Sequence, residues 1–339
     1  MKPRLDIQFP LRRQIQFWFG TQYEPQKGEY LLNHARTGIV MALRAALPKG
    51  GRVGVVVYNC HTVANAVVNA GCEPFFVDVT EDLRIDVASI LADLEAIVVT
   101  NLFGIRNDVE AIRKRCPGAI IIVDNAHGYG LPAEGDFTVY SINQGKFPAL
   151  GPGGMLVINL QSAIINLKPQ IDSMYESLPS YSLFEQLKLF ASMLMKAFAY
   201  SRCMYWLTMK LKKSANPDVH ETVSMKRMAP GVRRLYQAWL PNADNEITAQ
   251  RANAKQICNI QSKISNSQYM IGSNAFMAIV RTEDPEELKK EFAKRGVETE
   301  THFKHCIGWA KQFGYVEGSC PNAESLVKHL LMIPTYCNI

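Results

Sequence analysis

From residue 52 to residue 158 the chain alternates short runs that are apolar at every position with stretches of helical spacing. The runs 53–58, 74–79, 96–100, 119–124, 136–141 and 154–158 are rich in β-branched residues and read as strands covered on both faces. Between the first four lie helix-like stretches, 62–70, 87–94 and 108–115. Such alternation implies right-handed crossovers and a mostly parallel sheet, so the fold class is α/β.

The pattern changes over 182–213. Leu187, Phe190, Leu194 and Phe198 recur at helical spacing, with Lys188, Lys196, Arg202, Lys210, Lys212 and Lys213 among them. Charges interrupt this stretch too often for a transmembrane span. It reads either as a helical excursion packed on the domain or a second subunit, or as a basic amphipathic face resting on a membrane. A polar break, Ser214-Ala215-Asn216-Pro217, follows. Beyond it, 247–264 reads as a long helix, 275–281 as a strand, 285–295 as a helix and 297–303 as a strand, with Gly296 at a C-cap position. The expected organisation is a large domain over 1–225 and a small α+β domain over 226–339.

A chain of 339 residues with 47% hydrophobic and 20% charged positions has an ordinary globular composition. Its net charge of +6 is too slight and scattered to argue for nucleic acid. The first residues lack the apolar core of a signal peptide, and none of the eight cysteines forms a CxxC pair. Reduced thiols and a cytoplasmic location are therefore expected.

Candidate chemistry gathers late in the parallel region. Asp124 ends the strand Ala119-Ile120-Ile121-Ile122-Val123, where open α/β sheets bind ligands. The strand from Gly135-Asp136 to Ser141 runs into Ile142-Asn143-Gln144-Gly145-Lys146, then Leu150-Gly151-Pro152-Gly153-Gly154. An acid, a serine and a lysine on successive elements form the set that a pyridoxal phosphate site needs. The acid protonates the ring nitrogen, the serine helps cup the phosphate, and the lysine forms an imine. His302-x-x-His305-Cys306 has metal-like spacing but no partner pair, so no metal is expected. The chain has no GxGxxG or Walker loop.

These motifs resemble the DegT–StrS family of pyridoxal-phosphate sugar aminotransferases, which have the aspartate-aminotransferase (type I) fold. Val63-Ala64-Asn65-Ala66-Val67-Val68-Asn69-Ala70-Gly71-Cys72-Glu73-Pro74-Phe75-Phe76-Val77-Asp78-Val79 follows the family's A-N-A-V-x-x-A-G-A-x-P-x-F-V-D-V. Val123-Asp124-Asn125-Ala126-His127 stands where the family has E-D-A-A-Q/H. Gly135-Asp136, Tyr140-Ser141, Lys146 and Gly151-Pro152-Gly153-Gly154 follow in register.

The resemblance implies that Lys146 holds the cofactor and moves the proton, and that Asp124 pairs with the ring nitrogen. His127 then contacts the cofactor's 3-oxygen, Ser141 its phosphate, and Asn143 lies near the substrate. It also implies a homodimer with shared active sites, a nucleotide-linked keto-sugar as acceptor and an amino acid such as glutamate as donor. Related dehydratases carry His at the lysine position, so Lys146 argues for transamination.

The chain departs from the family at several points. The Ser-Gly-Thr phosphate cup is replaced by His34-Ala35-Arg36, followed by Thr37, and Arg36 is expected to supply a charge-assisted bond in its place. Cys60 falls where an aromatic stacks on the ring, with His61 or Tyr58 as the expected substitute and His61 preferred. The N-Y-R-M-S segment appears as Met225-Lys226-Arg227-Met228-Ala229, and the hairpin between His127 and Gly135 is short. A second reading, motivated by these changes, is a type I fold with altered catalysis and a binding or regulatory role.

Overall fold

Six strands read from the sequence form, within a residue or two of the expected bounds, most of a seven-stranded sheet. They are β2 (Arg52–Val56), β3 (Glu73–Val77), β4 (Ala96–Thr100), β5 (Ile120–Asn125), β6 (Phe137–Ser141) and β7 (Gly154–Ile158). The seventh, β1 (Glu29–Leu32), is too short to announce itself by pattern. The computed structural model describes residues 8–201, 204, 205, 207, 218–261, 268–301 and 303–336. The strand order is β1-β7-β6-β5-β4-β2-β3. β2 through β6 pair in parallel, whereas β7 runs antiparallel to both β6 and β1.

The two-faced apolar pattern has a direct cause. Val98 and Ile122 enter one core with α2 (Ala35–Ala46), α3 (His61–Asn69) and α5 (Lys168–Ser177). Their neighbours Ile97, Val99, Ile121 and Val123 enter a second core on the opposite face, with α4 (Val109–Arg115) and residues of the small domain. Each such side chain, fully buried, contributes about 1.5–3 kcal/mol, so neither face tolerates a polar substitution.

The region expected as the small domain contains a three-stranded antiparallel sheet, ordered β10 (Leu330–Pro334), β9 (Met277–Arg281), β8 (Gln268–Ile271). Around it lie α8 (Ala243–Gln261), α9 (Pro285–Lys294), α10 (Cys306–Lys311) and α11 (Pro321–His329). Asp284 caps α9 by accepting from Glu287 N at 2.9 Å, and Gly296 takes φ +72° just past its end. Met277, Ile279, Leu326 and Met332 join the core under Ile97 and Val99, so the small domain is seated on the large sheet.

A third cluster joins α1 (Leu11–Trp18), α6 (Leu183–Ala199) and α7 (Pro230–Trp239) through Phe17, Met193 and Val232. α6 is the apolar, basic segment of the sequence. Its start is fixed by a capping box between Ser182 and Glu185. Arg202, Lys210, Lys212, Lys213 and the polar break 214–217 lie outside the described residues.

Three expectations are corrected or cut short. The stretch 87–94 holds only a short 3-10 turn, Val87–Ser89, capped by Asp86. Ile90 has extended backbone, and both it and Leu94 are buried from non-helical positions, so their helix-like spacing misled. Among its described residues, the stretch 297–303 forms no strand. It touches β10 at one bridge, Glu300 to Met332, before Phe303 turns into the left-handed region at φ +56°. The end of the helix expected over 247–264 falls outside the described residues.

One glycine ties the sheet to the site. A Cβ on Gly154 would overlap Ala35 N and the His34 carbonyl carbon, and would lie 2.8 Å from Ala35 Cα. Only hydrogen lets β7 press against the first turn of α2, and backbone cannot step aside as a side chain would. Gly154→Ala is expected to destabilise the protein by about 3 kcal/mol in urea unfolding. Gly118→Ala, with nothing within 4 Å of its added methyl, stays within about 0.5 kcal/mol.

Candidate active site

β5 and β6 are parallel neighbours, so their carboxyl ends open on the same edge of the sheet. Asp124 stands at the end of β5, 4% exposed, and accepts from Ala126 N at 2.9 Å. Burial pushes its carboxyl above the ordinary carboxylate range, against the Ala126 N–H, the Thr100 hydroxyl and whatever proton Lys146 carries, which all favour the anion. No cation lies within ion-pair distance of it among the described residues. Asp124 is thus a buried acid that favours a cationic partner.

The chain then turns through Asn125 and Ala126 to His127, which is also buried. Asn274 of the small domain donates to His127 O at 3.0 Å and fixes this turn from the other side. Phe103 N donates to His127 Nδ1 at 3.2 Å, and the Phe103 ring stacks on the imidazole at 5.3 Å and 22°. To do so Phe103 adopts φ +53°, a strain on the order of 1–3 kcal/mol for a bulky residue.

The Phe103 bond settles a proton. With Nδ1 accepting, the neutral imidazole carries its hydrogen on Nε2. Nε2 lies 2.6 Å from Lys146 Nζ. For that contact to be a hydrogen bond, Nζ must accept, and a lysine accepts only as the free amine. Burial independently pushes the Lys146 pKa down, with Cys60 and Asp124 opposing. The geometry calls for an uncharged, nucleophilic amine, and burial shifts the lysine in that direction.

Lys146 comes from the loop after β6, turned by Gly145 at φ +85° and closed by Lys146 N donating to Asn143 O at 3.0 Å. Around it is a cleft of about 220 Å³ that Arg36, Cys60, Asp124, His127, Ser141 and Asn143 also line. Seven of the nine residues singled out from the sequence therefore meet in one place. Thr37 does not line it. Its hydroxyl donates to Asn33 Oδ1 at 2.8 Å inside the core. His61 also faces away, its ring edge-on to Trp309 at 4.9 Å, so Cys60 alone occupies the position of the stacking aromatic.

Further lining residues were not legible from motif spacing. Asn59 donates to the Thr100 hydroxyl at 2.8 Å, and both border the cleft together with His34 and Phe303. A second cleft of about 330 Å³ lies on another side of Lys146, bordered by Arg13, Gln250 and Asn253. The polar helix face carrying Gln250 and Asn253 gave no sign in the sequence that it would approach the lysine.

The residues present fit pyridoxal phosphate. Arg36 and the unblocked first turn of α2 face the cleft. The guanidinium is anchored by Glu221, yet its buried Nε has no partner, which leaves a donor for an anion. Asp124 suits a protonated ring nitrogen, and Lys146 is a free amine.

Two titrations test this electrostatic picture. Unfolded, Lys146 keeps its proton up to the ordinary value of 10.5, whereas folded it releases the proton at lower pH. Unfolding therefore takes up a proton in that window, and stability rises with pH across it. The cofactor-free wild type should gain unfolding free energy relative to Lys146→Met as pH rises towards 10.5.

Cys60 gives the second test. Burial raises its thiol, but bonds with His61 and Thr62 outweigh that and bring it to about 7, whereas Cys306 and Cys320 are pushed up to about 12. At pH about 8, iodoacetamide should label Cys60 well before those two, and added pyridoxal phosphate should protect it.

Residues 31–166 match the DegT/DnrJ/EryC1/StrS aminotransferase family. Among solved structures, a putative sugar aminotransferase, Spr1654 of Streptococcus pneumoniae in its PMP form, is similar at 15% identity and TM-score 0.70, covering 96% of this chain and 91% of that one. A DegT DnrJ EryC1 StrS aminotransferase of Brucella abortus is similar at 19% identity and TM-score 0.66, covering 90% and 80%. DesI, solved in the presence of its TDP-sugar product, is similar at 16% identity and TM-score 0.67, covering 90% and 75%. At these identities the likeness establishes the type I fold. No curated protein matches. The segment that supplies Lys146, Asp124 and His127 matches the DegT/DnrJ/EryC1/StrS aminotransferase family, and that match supports a pyridoxal-phosphate-dependent transaminase.

Proposed function

We propose that the enzyme transfers an amino group from an amino acid, with glutamate as the expected donor, to a keto-sugar carried on a nucleotide. The observation that carries this reading is the uncharged Lys146 amine, held by His127 Nε2 at 2.6 Å beside a buried Asp124. The second cleft beside Lys146 supports it, because a bulky acceptor needs room there and Arg13 offers a cation for an anionic group. DesI, similar in fold, was solved with a TDP-sugar product. A homodimer in the cytoplasm belongs to the same reading.

The bound cofactor supplies an electron sink for the donor's α-carbon. The protein's residues do the rest. Arg36, Ser141 and the α2 N-terminus would hold the cofactor's phosphate, and Asp124 would keep a proton on its ring nitrogen. His127, oriented by the Phe103 N–H, donates from Nε2 and keeps Nζ of Lys146 unprotonated. Nζ is then the base that takes the α-proton of the amino donor. Phe303 and the Asn274 clasp bring the small domain over the cleft and exclude water from the exchanging proton.

The visible absorbance of purified protein with pyridoxal phosphate tests this, before and after glutamate and beside Lys146→Ala. The wild type should show the lysine-bound band, the variant should lack it, and glutamate should discharge it to the pyridoxamine form. A wild type with no such band would overturn the reading. Arg36→Ala should weaken cofactor binding by about tenfold or more in fluorescence titration, the effect expected for a lost charge-assisted bond.

A further inference from the structure

We propose, building on the transamination put forward above, that the second cleft beside Lys146 seats the sugar ring of the acceptor and that Gln250 reads its hydroxyl groups. Gln250, Ala254 and Ile257 follow one another at helical spacing on α8 and are the side chains this helix buries. Ile257 enters the core of the small sheet with Ala278 and Val280, so the stripe is an apolar one. At 250 an amide stands in it, 7% exposed, and among the described residues that amide has no hydrogen-bond partner. Burying an unmet amide works against folding. Gln250 opens instead on the cleft of about 330 Å³ that Lys146 also borders, where a ligand can meet both its carbonyl and its N–H groups.

The rest of the wall suits the same ligand. Glu246, Gln250 and Asn253 line the cleft from successive turns of α8. Glu246 spends Oε2 on the Trp239 indole N–H at 2.9 Å, and Asn253 spends Nδ2 on Thr335 O at 2.8 Å. Their other oxygens remain as acceptors among the described residues. Phe147 and Phe276 supply an apolar wall, and Phe276 also tilts against His127 at 5.6 Å, which ties this cleft to the cofactor side. A pyranose has what such a site needs, a C–H face for the rings and hydroxyls that both donate and accept. A dicarboxylic donor such as glutamate would meet Glu246 as a like charge. Beyond Arg13 and Glu246 a further cleft of about 450 Å³ opens between α1, α7 and α8, with room for the group that carries the sugar. Gln250 is buried by its own chain, so a second subunit over the mouth leaves this wall as it is.

Calorimetric titration of the holoenzyme, with no amino donor present, tests this. UDP is compared with UDP-glucose and TDP with TDP-glucose, since these sugars carry ring hydroxyls but no keto group to react. In the wild type at least one sugar-linked form should bind about tenfold tighter than its bare nucleotide, a margin that belongs to the ring. Gln250→Leu should erase that margin and leave the bare nucleotides unchanged, whereas Thr248→Ala, on the exposed side of α8, should keep it. Free of ligand, Gln250→Leu should melt no lower than the wild type, because no bond within the protein is lost. No ring margin in either pair, a margin that Gln250→Leu retains, or a lower melting temperature in that variant would overturn the assignment. Discharge of the lysine-bound band by glutamate is a separate readout. Its failure with the ring margin intact would sink the transamination and leave the sugar subsite standing.

Discussion

A lysine amine buried without its proton is the condition on which this site depends. Burying an ammonium is costly unless a carboxylate sits against it, and the fold instead offers a neutral donor, His127 Nε2. That donor exists only because Phe103 N bonds the other ring nitrogen, and Phe103 can do so only in a strained left-handed conformation. The core on that face of the sheet, which includes Phe103, Phe303 and the small-domain residues, holds the strain in place. Catalytic readiness is thus maintained by hydrophobic packing two contacts away from the amine.

The same economy governs the anion side of the cleft. The first turn of α2 borders the cleft through His34, Ala35 and Arg36, and Gly154 lets β7 come into backbone contact with it. A hydroxyl-and-glycine cup has been exchanged for Arg36, whose position is held by Glu221 and whose Nε remains available. His34 beside it is held neutral, its pKa lowered to about 4 by burial and by the Arg36 and Lys196 charges. The positive potential at the cup therefore rests on one guanidinium and a helix end, not on a cluster of titrating groups.

The outward face of α1 and α6 belongs to the same design problem. A helix that serves the core on one side and carries Phe184, Leu187 and Phe198 on the other is stable in water only at a cost in exposed apolar area. Its proximity to the loop after Lys146 means that whatever covers it also borders the active-site loop.

The alternation of β-branched runs, each apolar on both faces, determined the α/β layer, because a strand covered twice has no polar side to show. The order acid, serine, lysine likewise determined the site's chemistry, since parallel neighbours must end on one edge. Local pattern failed where burial came without periodic structure, as in 87–94, and where an alternating segment meets the sheet at a single bridge, as at Glu300. Tertiary structure alone decided that Thr37 and His61 turn away, that Phe303 and Asn59 enter, and that Phe103 sets the proton on His127. Those choices depend on contacts between residues far apart in the chain, at angles that no one-dimensional spacing encodes.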